Sequence, residues 1–347
     1  MSADLISAAD LQAYLLRLFD AVAINDAQAR SVVNNMVWSE LVGRANFGVI
    51  RIPVHLQRLQ HGVLNAVCHP QFTRSGTGSG LLDGDNGFGY YAGELAMKHA
   101  IQLARDNGIG IVGVRNSNFF GTGAYFANQA AESGMISLVT SNSFPKVAAH
   151  GGLSAVLGTN PFAFGAPRAN GDHLLVDFAT SSLAGSTVRA YLAEKKQLPE
   201  GLAIMPDGTP ARDPALIGEA TLLPFGGAKG YGLSLMVEIL SGILTGAGFS
   251  HQVKSTYSNF AEKSDSGHCM IAIDIEKFMP LADFLSRFEA LIALLKASNP
   301  VDEVLLPGEI RWANFRRNSE RGLEIPQPVR ADLTALSANF QVPVPWK

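Results

Sequence analysis

The stretch of this 347-residue chain that most restricts its fold is residues 151–189. It contains a glycine-rich loop, an apolar run at Phe162–Ala166, a turn, and a second apolar run at Leu174–Phe178. Short apolar runs bounded by turn residues are typical of buried strands. The segment then becomes rich in serine, threonine and alanine, which predicts a helix that begins just after a buried strand. Because the first N–H groups of a helix lack partners within it, this place suits an anionic ligand.

Two features of this segment are candidates for ligand binding. Thr180, Ser181 and Ser182 are residue types that cap helix N-termini. Asp177 places a carboxylate at the end of an otherwise apolar strand, where a charge without a partner is costly. A polar ligand is one such partner, and the amides of neighbouring loops are an equally acceptable one.

The rest of the chain alternates between helical and strand-like patterns. The first sixty residues predict three helices, which begin after Ser7, at Asp26 and at Pro53, with a loop at residues 43–52 between the second and third. The later predicted elements are helices at 93–105, 122–132, after Lys229 and at Leu281–Lys296, and strands at 109–114, 135–140 and 269–275. This alternation predicts an α/β layered domain, interrupted by a turn-rich excursion at residues 195–224.

Composition restricts the class of protein. Apolar residues make up 47% of the chain and charged residues 16%, as in soluble globular proteins. The formal net charge is −3, and no block of Lys and Arg is present, which argues against nucleic acid and anionic membranes as partners. The basic cluster at residues 311–321 contains Glu320 and is predicted to be a solvated helix face.

Three further observations concern the compartment. The apolar run at residues 232–249 contains Glu238 and several glycines, so it predicts a buried helix rather than a membrane span. Cys68 and Cys269 are too few for a disulfide framework and have no metal-binding spacing, which is typical of a reducing compartment. The first ten residues, MSADLISAAD, carry acids where a signal peptide has Lys or Arg. We therefore expect no export and a cytoplasmic protein.

Glycine-rich corners indicate where a nucleotide can bind. Residues 108–113 match GxGxxG, but they begin a strand instead of joining a strand to a helix, so they do not support a Rossmann fold. Residues 226–232 place Lys229 among flexible amides at a helix start, which fits either a phosphate site or an ordinary helical turn with a surface lysine. Phe120, Gly121, Thr122 and Gly123 likewise join a strand to a helix. They form a third corner, after the helix start in residues 151–189 and the segment 226–232. Together with Asp177, these corners favour a nucleotide-sized ligand.

The eight histidines show no metal-binding spacing, and no nucleophile motif is present. His55 and His99 fall on predicted helices as surface or packing residues. His150 stands beside two glycines and close to Lys146, so these two residues are the candidates for an acid–base role.

Several longer blocks carry a resemblance to a known family. They are GVIRIPVHLQRLQHG from Gly48, DGDNGFGYYAGELAMKHAIQLA from Asp83, GVRNSNFFGTGAYFANQAAESGMISLVTSNS from Gly113, LGTNPFAFGAP from Leu157, VDFATSS from Val176, LLPFGGAKGYGLSLMVEILSGILTGAGF from Leu222 and LPGEIRW from Leu306. Over nearly its full length, the chain resembles the malate/L-lactate dehydrogenase family of the second type. That family includes ureidoglycolate dehydrogenase, diketogulonate reductase, sulfolactate dehydrogenase and Δ1-piperideine-2-carboxylate reductase.

The resemblance implies a fold and an assembly. It implies a non-Rossmann, mixed-sheet α/β cofactor domain and a helical domain built from both chain ends. The corresponding expectation is a helical segment at 1–75, an α/β cofactor and substrate domain at 76–305, and C-terminal helices at 306–347 that pack back on the first segment. It also implies a homodimer whose active site lies near the subunit junction.

The resemblance also implies an activity and its residues. Family members move a hydride between NAD or NADP and a 2-oxo acid, 2-hydroxy acid or cyclic 2-imino acid. The arginine that binds the substrate carboxylate falls at Arg51, where a bidentate pair suits a planar carboxylate. The substrate-contacting threonine falls at Thr159. The cofactor contacts fall on Phe119, Phe120, Gly121, Thr122, Gly123, Asp177, Phe178, Ala179, Lys229, Gly230, Pro307, Gly308 and Glu309.

The chain departs from the family where the proton is delivered. The usual Ser-His-Gly is replaced by Asn46, Phe47 and Gly48, and a second common histidine is replaced by Phe119. The aspartate that completes the relay in the imine reductases falls on Thr187. None of these side chains is a general acid near neutral pH. Lys146, His150 or water are therefore the remaining proton donors.

Two hypotheses follow from this departure. In the first, the chain is a reductase, with a mild preference for imino acids, because a ketimine that binds already protonated needs no delivered proton. Phe47 and Phe119 then form a dry wall beside the nicotinamide ring, or simply fill the core. In the second, the chain has lost dehydrogenase turnover and binds a nucleotide or carboxylate ligand for another purpose.

Overall fold

The computed structural model describes residues 5–183, 185–298 and 301–346. The outermost residues of the predicted end segments and Ala184, which precedes the helix after the second strand of residues 151–189, lie outside this description. The helices are α1 (Ala8–Ala21), α2 (Asp26–Leu41), α3 (Ile52–Gln60), α4 (Gly89–Asn107), α5 (Gly123–Glu132), α6 (Gly185–Ala193), α7 (Ala228–Glu238), α8 (Leu281–Lys296), α9 (Glu309–Arg321) and α10 (Gln327–Asn339). The strands are β1 (Gln71–Arg74), β2 (Ser79–Asp83), β3 (Ile109–Ser117), β4 (Met135–Ser141), β5 (Val147–Ala148), β6 (Ala155–Leu157), β7 (Phe162–Ala166), β8 (Leu174–Phe178), β9 (Ala203–Ile204), β10 (Thr221–Leu222) and β11 (Ser266–Asp274).

The N-terminal helices begin where their capping residues predict. The Ser7 hydroxyl oxygen accepts a hydrogen bond from the Asp10 amide, and Asn25 does the same for α2. Pro53 lies in the first turn of α3, where its missing N–H costs nothing. The predicted loop at residues 43–52 forms two 3-10 turns, Ala45–Phe47 and Val49–Arg51.

The two ends of the chain share one core. Leu11, Leu15 and Leu18 of α1 are fully buried against α2 and α3, and Leu323 and Leu333 join the same apolar cluster from the C-terminal side. A backbone bridge between Ile6 and Leu323 and a 2.6 Å hydrogen bond between the Tyr14 and Ser337 hydroxyls reinforce the contact. The apolar core of the helical part is therefore completed by residues from the C-terminal end of the chain, around α9 and α10.

The main sheet is mixed, which confirms the predicted fold class. Seven strands lie in the order β1-β2-β3-β11-β4-β7-β8, with β2 and β3 parallel and the other neighbouring pairs antiparallel. The GxGxxG match is the end of α4 followed by β3, with Gly108 at φ +88° as the helix cap. The strand β1 falls within the first expected segment, yet it pairs with β2 of the second.

Helices cover the two faces of this sheet. The alanine-rich faces of α4 and α5 bury against β3, β4 and β11, which explains why these helices contain so many small residues. On the opposite face, a π-helical turn (Ile239–Ile243) continues α7 and packs on β3 and β11. A Cβ at Gly267 would lie 1.8 Å from the Ser241 carbonyl oxygen, so only glycine permits this approach.

Two short strands of the turn-rich excursion, β9 and β10, complete a second, smaller sheet with β5 and β6. Its strands lie in the order β6-β5-β10-β9, and Leu183, Val188 and Leu198 form a small apolar cluster beside it. This sheet places the segments after β4 and before α7 next to each other, because β5 and β10 run parallel.

Two expectations about helices are corrected by the structure. The run at residues 232–249 is not a wholly buried helix, because Ile239, Ile243, Leu244 and Phe249 are 44–64% exposed on its outer side. Within the described residues, no helix has the length and apolar character needed to span a bilayer. The basic cluster on α9 is not a uniformly solvated face either, because Arg311 is buried.

Candidate active site

The candidate site is centred on Arg51, at the junction of the second 3-10 turn and α3. Its guanidinium lies between two aromatic rings, 5.6 Å from the centroid of Phe119 and 5.0 Å from that of Tyr257. Its Nε donates to the Asn46 carbonyl oxygen at 2.7 Å, which fixes the orientation of the fork. Among the described residues, no carboxylate lies within ion-pair distance of Arg51. The terminal nitrogens of a half-buried arginine are therefore available to a carboxylate from outside.

Phe47 and Phe119, the positions at which the resemblance implies histidines, lie together beside Arg51. Phe47 and Phe119 stack with centroids 6.3 Å apart and planes 15° from parallel. Beneath Phe119 lies His55, which is buried and within 3.3 Å of the Tyr90 hydroxyl. Burial, assisted by the charges of Arg51 and Arg58, lowers the pKa of His55 to about 3. This imidazole is neutral near pH 7 and cannot act as the missing acid.

A second part of the site is the corner between β3 and α5. Thr122 donates its hydroxyl to Asp177 Oδ2 at 2.5 Å, and the Ala124 amide at the start of α5 donates to the same oxygen at 3.1 Å. The Asp177 carboxylate is therefore satisfied by a neighbouring loop and helix, which was one of the two alternatives for it. The role of Asp177 as a cofactor contact stays a prediction. The same holds for the backbone of the adjoining Phe178 and Ala179.

Arg311 of α9 reaches the same corner. Its Nη2 lies 3.4 Å from the Asp177 carbonyl oxygen and 3.6 Å from Oδ2, while its buried Nη1 has no hydrogen-bond partner among the described residues. Burial lowers the pKa of Arg311, Asp177 acts in the opposite direction, and the charge of Arg44 lowers it further. Asp177 thus has Arg311 as a further neighbour, in addition to its hydrogen bonds from Thr122 and Ala124.

The glycine of this corner is required by its neighbours. Gly121 has φ +83°, and a Cβ there would lie 2.5 Å from both Asn35 Oδ1 and a ring carbon of Tyr90. The amide of Asn35 is fully buried, and its Nδ2 has no hydrogen-bond partner in the described part of the chain. A second buried donor therefore lies against the loop formed by Phe120, Gly121, Thr122 and Gly123.

The Lys229 corner lies across the end of β8. Lys229 is exposed in the first turn of α7, and the neighbouring Gly230 is buried. A Cβ at position 230 would lie 2.2 Å from the Phe225 carbonyl oxygen, so the close approach requires glycine. Phe225 packs edge-on against Phe178, with centroids 5.6 Å apart, which joins this corner to the β8 end. His150 is exposed and lies near Gly227, so it belongs to this corner rather than to the surroundings of Arg51.

Thr159 and Lys146 lie between these corners. The Thr159 amide donates to Ser143 Oγ at 3.0 Å, and its carbonyl oxygen accepts from the Thr180 amide and hydroxyl. Lys146 precedes β5 with its ammonium 5.3 Å from the centroid of Phe144. Partial burial and the charge of Arg51 lower the pKa of Lys146.

The remaining expected residues are placed as follows. Pro307 accepts a hydrogen bond from the Leu175 amide, so the turn with Gly308 and Glu309 lies beside β8. The Glu309 carboxylate bonds Lys296 at 2.7 Å and the Leu306 amide at 3.0 Å. Thr187 is half-buried on α6.

The expectation that Thr180, Ser181 and Ser182 cap α6 is wrong. The hydroxyl of Thr180 donates to the Thr159 and Asn160 carbonyl oxygens, and Ser182 donates to Leu202. These residues fix the loop after β8 to the second sheet, and α6 begins only at Gly185.

Sequence reasoning missed Tyr257 and the loop that carries it. Tyr257 lies in an irregular loop at residues 253–262, is 39% exposed, and packs edge-on against Phe144 with centroids 6.0 Å apart. A single tyrosine in a turn-rich loop carries no periodic or motif signal. Only the folded chain shows that its ring covers Arg51.

Glu40 is a second missed residue next to the site. It is buried, and its Oε1 accepts a 2.9 Å hydrogen bond from the Val49 amide in the turn that leads to Arg51. Burial raises the pKa of Glu40 to about 7, and this hydrogen bond opposes the rise. A side chain at position 48 would force Glu40 to move, because a Cβ there would lie 2.0 Å from Glu40 Oε1.

Comparisons with known proteins find relatives over nearly the whole chain. A family model described as malate/L-lactate dehydrogenase matches residues 6–334. A malate dehydrogenase of Pyrococcus abyssi is 36% identical over 96% of this chain and 94% of its own length. A Δ1-pyrroline-2-carboxylate/Δ1-piperideine-2-carboxylate reductase of Pseudomonas syringae pv. tomato is 33% identical over 93% of this chain and 92% of its own. The crystal structure of a malate dehydrogenase from Entamoeba histolytica superposes with a TM-score of 0.93 at 29% identity, over 99% of this chain and 100% of that one.

Proposed function

Because the chain belongs to the malate/L-lactate dehydrogenase family, we propose that it transfers a hydride to or from C2 of a small 2-oxo acid, 2-hydroxy acid or cyclic 2-imino acid. The chain is an oxidoreductase, and its cofactor is NAD or NADP, as in the family. The dinucleotide supplies or accepts the hydride. The protein binds both reactants, orients them and handles the proton.

The observation that carries this proposal is the state of Arg51. A guanidinium with a fixed Nε, two aromatic neighbours and no carboxylate partner in the described chain is prepared for a planar anion. A 2-oxo or 2-imino acid presents such an anion directly beside its reacting carbon. Thr159 would contact the same substrate, as in the family.

The corner around Asp177 fits a dinucleotide. Arg311 Nη1 and Asn35 Nδ2 are buried donors without partners in the described residues, and each costs free energy unless a ligand supplies an acceptor. A phosphate group has oxygens enough for both. The residues that would hold the dinucleotide are Phe119, Phe120, Gly121, Thr122, Gly123, Asp177, Phe178, Ala179, Lys229, Gly230, Pro307, Gly308 and Glu309.

The chemistry of the proton favours imino acids as substrates. Hydride addition to a ketone produces an alkoxide that needs an acid, whereas a ketimine can bind as its iminium and accept hydride directly. The stacked Phe47 and Phe119 rings form an apolar wall beside Arg51 and supply no proton. The redox-inactive alternative is not favoured, since relatives matched over more than nine-tenths of the chain are named dehydrogenases and reductases.

We also propose that the chain forms a homodimer through the exposed apolar side of the α7 region. This surface is formed by Ile239, Ile243, Leu244 and Phe249, which follow the end of α7, the helix whose first turn carries Lys229. Adjacent exposed apolar side chains of this size are typical of a protein interface. The expected junction near the active site is consistent with this location.

The test is a binding and turnover assay. NADH and NADPH are titrated by fluorescence, and absorbance loss is then followed with 2-oxo acids and cyclic ketimines. Binding of one dinucleotide and turnover of at least one substrate class are expected, with saturation by the carboxylate substrate. Tight dinucleotide binding without any turnover would instead favour the redox-inactive alternative.

A further inference from the structure

The described residues near Arg51 offer few proton donors. His55 is buried under Phe119, and its neutral imidazole is covered on the site side. Tyr90 is fully buried, and its hydroxyl is engaged with His55. Tyr257 differs from both, because it contacts Arg51 and also remains 39% exposed. Its phenol is the acidic O–H group that a bound substrate can reach.

On these contacts, and resting on the proposed function, we propose that Tyr257 is the proton donor for reduction of 2-oxo acids in this chain. The hydroxyl of Tyr257 takes over the task for which Phe47 and Phe119 are chemically unsuited. The substrate class is thereby extended from imino acids, which can arrive protonated, to ketones, which cannot.

The two aromatic rings on either side of Arg51 define where the substrate lies. Phe119 covers one side of the guanidinium and Tyr257 another, with ring centroids 5.6 and 5.0 Å from Cζ. Since Asn46 occupies Nε, a carboxylate must approach the terminal nitrogens between these rings. The carbonyl at C2 is one bond from that carboxylate, which brings its oxygen into the neighbourhood of the Tyr257 hydroxyl.

The loop that carries Tyr257 is held rigidly. Ser255 Oγ accepts hydrogen bonds from the Tyr257 and Ser258 amides, both at 3.2 Å. The Ser255 carbonyl oxygen accepts from the Asn259 amide at 3.1 Å. A catalytic hydroxyl needs such support, because a displacement of about 1 Å is enough to lose a large part of the rate.

The same loop is attached to the helix that begins at Arg51. Arg58 of α3 is 1% exposed and donates through Nη1 to the Asn259 carbonyl oxygen at 2.7 Å. One turn further on, the His61 ring packs against Phe260 with centroids 5.3 Å apart and planes tilted by 40°. Substrate carboxylate and proton donor are therefore positioned by one helix.

The electrostatics suit a donor in the reductive direction. Burial raises the pKa of Tyr257, while the charge and hydrogen-bond contact of Arg51 lower it. Among the described residues, Tyr90 is a titratable group that interacts with Tyr257, and Lys146 lies against Phe144, whose ring also contacts Tyr257. The phenol stays protonated at neutral pH, and Arg51 stabilises the phenolate that proton transfer leaves behind.

The step balances in atoms and electrons. Hydride from the reduced nicotinamide bonds to C2, and the C=O π pair moves to the carbonyl oxygen. That oxygen takes the phenolic proton of Tyr257 to complete the 2-hydroxy acid, and the nicotinamide is left oxidised. Because Tyr257 is partly exposed, water can return a proton to the phenolate.

The test compares Tyr257→Phe with the wild type on a 2-oxo acid and on a cyclic ketimine. This change removes the hydroxyl and keeps the ring over Arg51. We expect kcat on the 2-oxo acid to fall about 100-fold or more, the contribution typical of a general acid. For the ketimine, kcat should change less than about threefold at a pH where the iminium is populated. KM should stay unchanged for both substrates.

Matched variants make the outcome decisive. Tyr91→Phe, on α4 outside the site, should leave both reactions unchanged, and Phe47→His in the Tyr257→Phe background should restore part of the ketone reaction. A 2-oxo acid rate that survives Tyr257→Phe, an equal loss on both substrates, or a selective loss in Lys146→Met instead would overturn the proposal. Wild-type turnover confined to ketimines would also overturn it, whereas no turnover at all would reject the proposed function itself.

Discussion

At the scale of single residues, substrate binding should depend more on the planar shape of the Arg51 guanidinium than on its positive charge. Arg51→Lys keeps a positive charge but removes the planar fork and the Nε bond to Asn46. KM for the carboxylate substrate should rise about ten- to a hundredfold, which corresponds to about 1–3 kcal/mol. Steady-state kinetics measures this, and dinucleotide affinity should not change. Arg105→Lys on the exposed side of α4 is the control, and an unaltered KM in Arg51→Lys would remove this residue from the substrate site.

The second residue-scale prediction concerns Phe47. Phe47→His places an imidazole beside Phe119, next to Arg51, at the position where the resemblance implies a histidine. The rate with 2-oxo acids should then acquire a pH dependence with an apparent pKa displaced below about 6.5, because Arg51 disfavours the imidazolium. A pH–rate profile from 5 to 9 detects this. A profile that coincides with that of the wild type would show that position 47 does not reach the substrate.

At the scale of elements, Glu40 links α2 to the turn before α3. Its pKa is raised in the folded state to about 7, above the value of 4.5 that it has when exposed. The folded chain therefore holds a proton that the unfolded chain releases between these values, so stability is full below pH 4.5 and is lost as the pH rises to 7. In Glu40→Gln this loss should disappear, leaving the variant roughly 2–3 kcal/mol more stable than the wild type at pH 8 and similar at pH 5.

Chemical denaturation at pH 5 and pH 8 gives the two free energies of unfolding. The glutamine oxygen still accepts from Val49, so the backbone contact survives. Glu320→Gln on the exposed end of α9 is the control, with no expected change at either pH. Parallel pH curves for wild type and Glu40→Gln would contradict the raised pKa.

Elements with a strong period were predictable from the sequence, and long-range partners were not. The helix Leu281–Lys296 was predicted with both of its bounds, and β7 and β8 likewise, because apolar spacing and turn residues are local signals. The three hydroxyl residues after β8 have the composition of a cap, but Thr180 and Ser182 donate to carbonyl groups 21 and 20 residues away, and Ser181 donates to Leu183.

The same limit applies to the site. Local patterns point to Asp177 and Lys229, and the family resemblance points to Arg51; their roles in the site stay predictions. Arg311 was assigned to solvent because its partner Asp177 is 134 residues away in the sequence. Tyr257 lies in a loop without periodicity, and its contact with Arg51 spans about 200 residues, so no local pattern predicts it.

At the scale of the whole molecule, the exposed apolar surface of the α7 region predicts the state of assembly. The wild type should sediment at twice the mass of the 36.9 kDa chain. Leu244→Lys places a charge on a side chain that is 64% exposed in the single chain, and it should shift the protein towards monomer. Leu294→Lys, on the exposed side of α8, is the matched control. Dissociation by the control alone would locate the interface on α8 instead.

The closure of the helical core by both chain ends has a consequence for biosynthesis. The segment with Arg51 leaves the ribosome early, but the apolar faces of α1 and α2 are completed only by Leu323, Ile325 and Leu333, close to the end of translation. During elongation these faces stay uncovered, and the carboxylate-binding arginine has no finished support. A nascent chain that stalls before residue 323 therefore exposes apolar surface to chaperones and proteases. It also cannot yet bind its substrate.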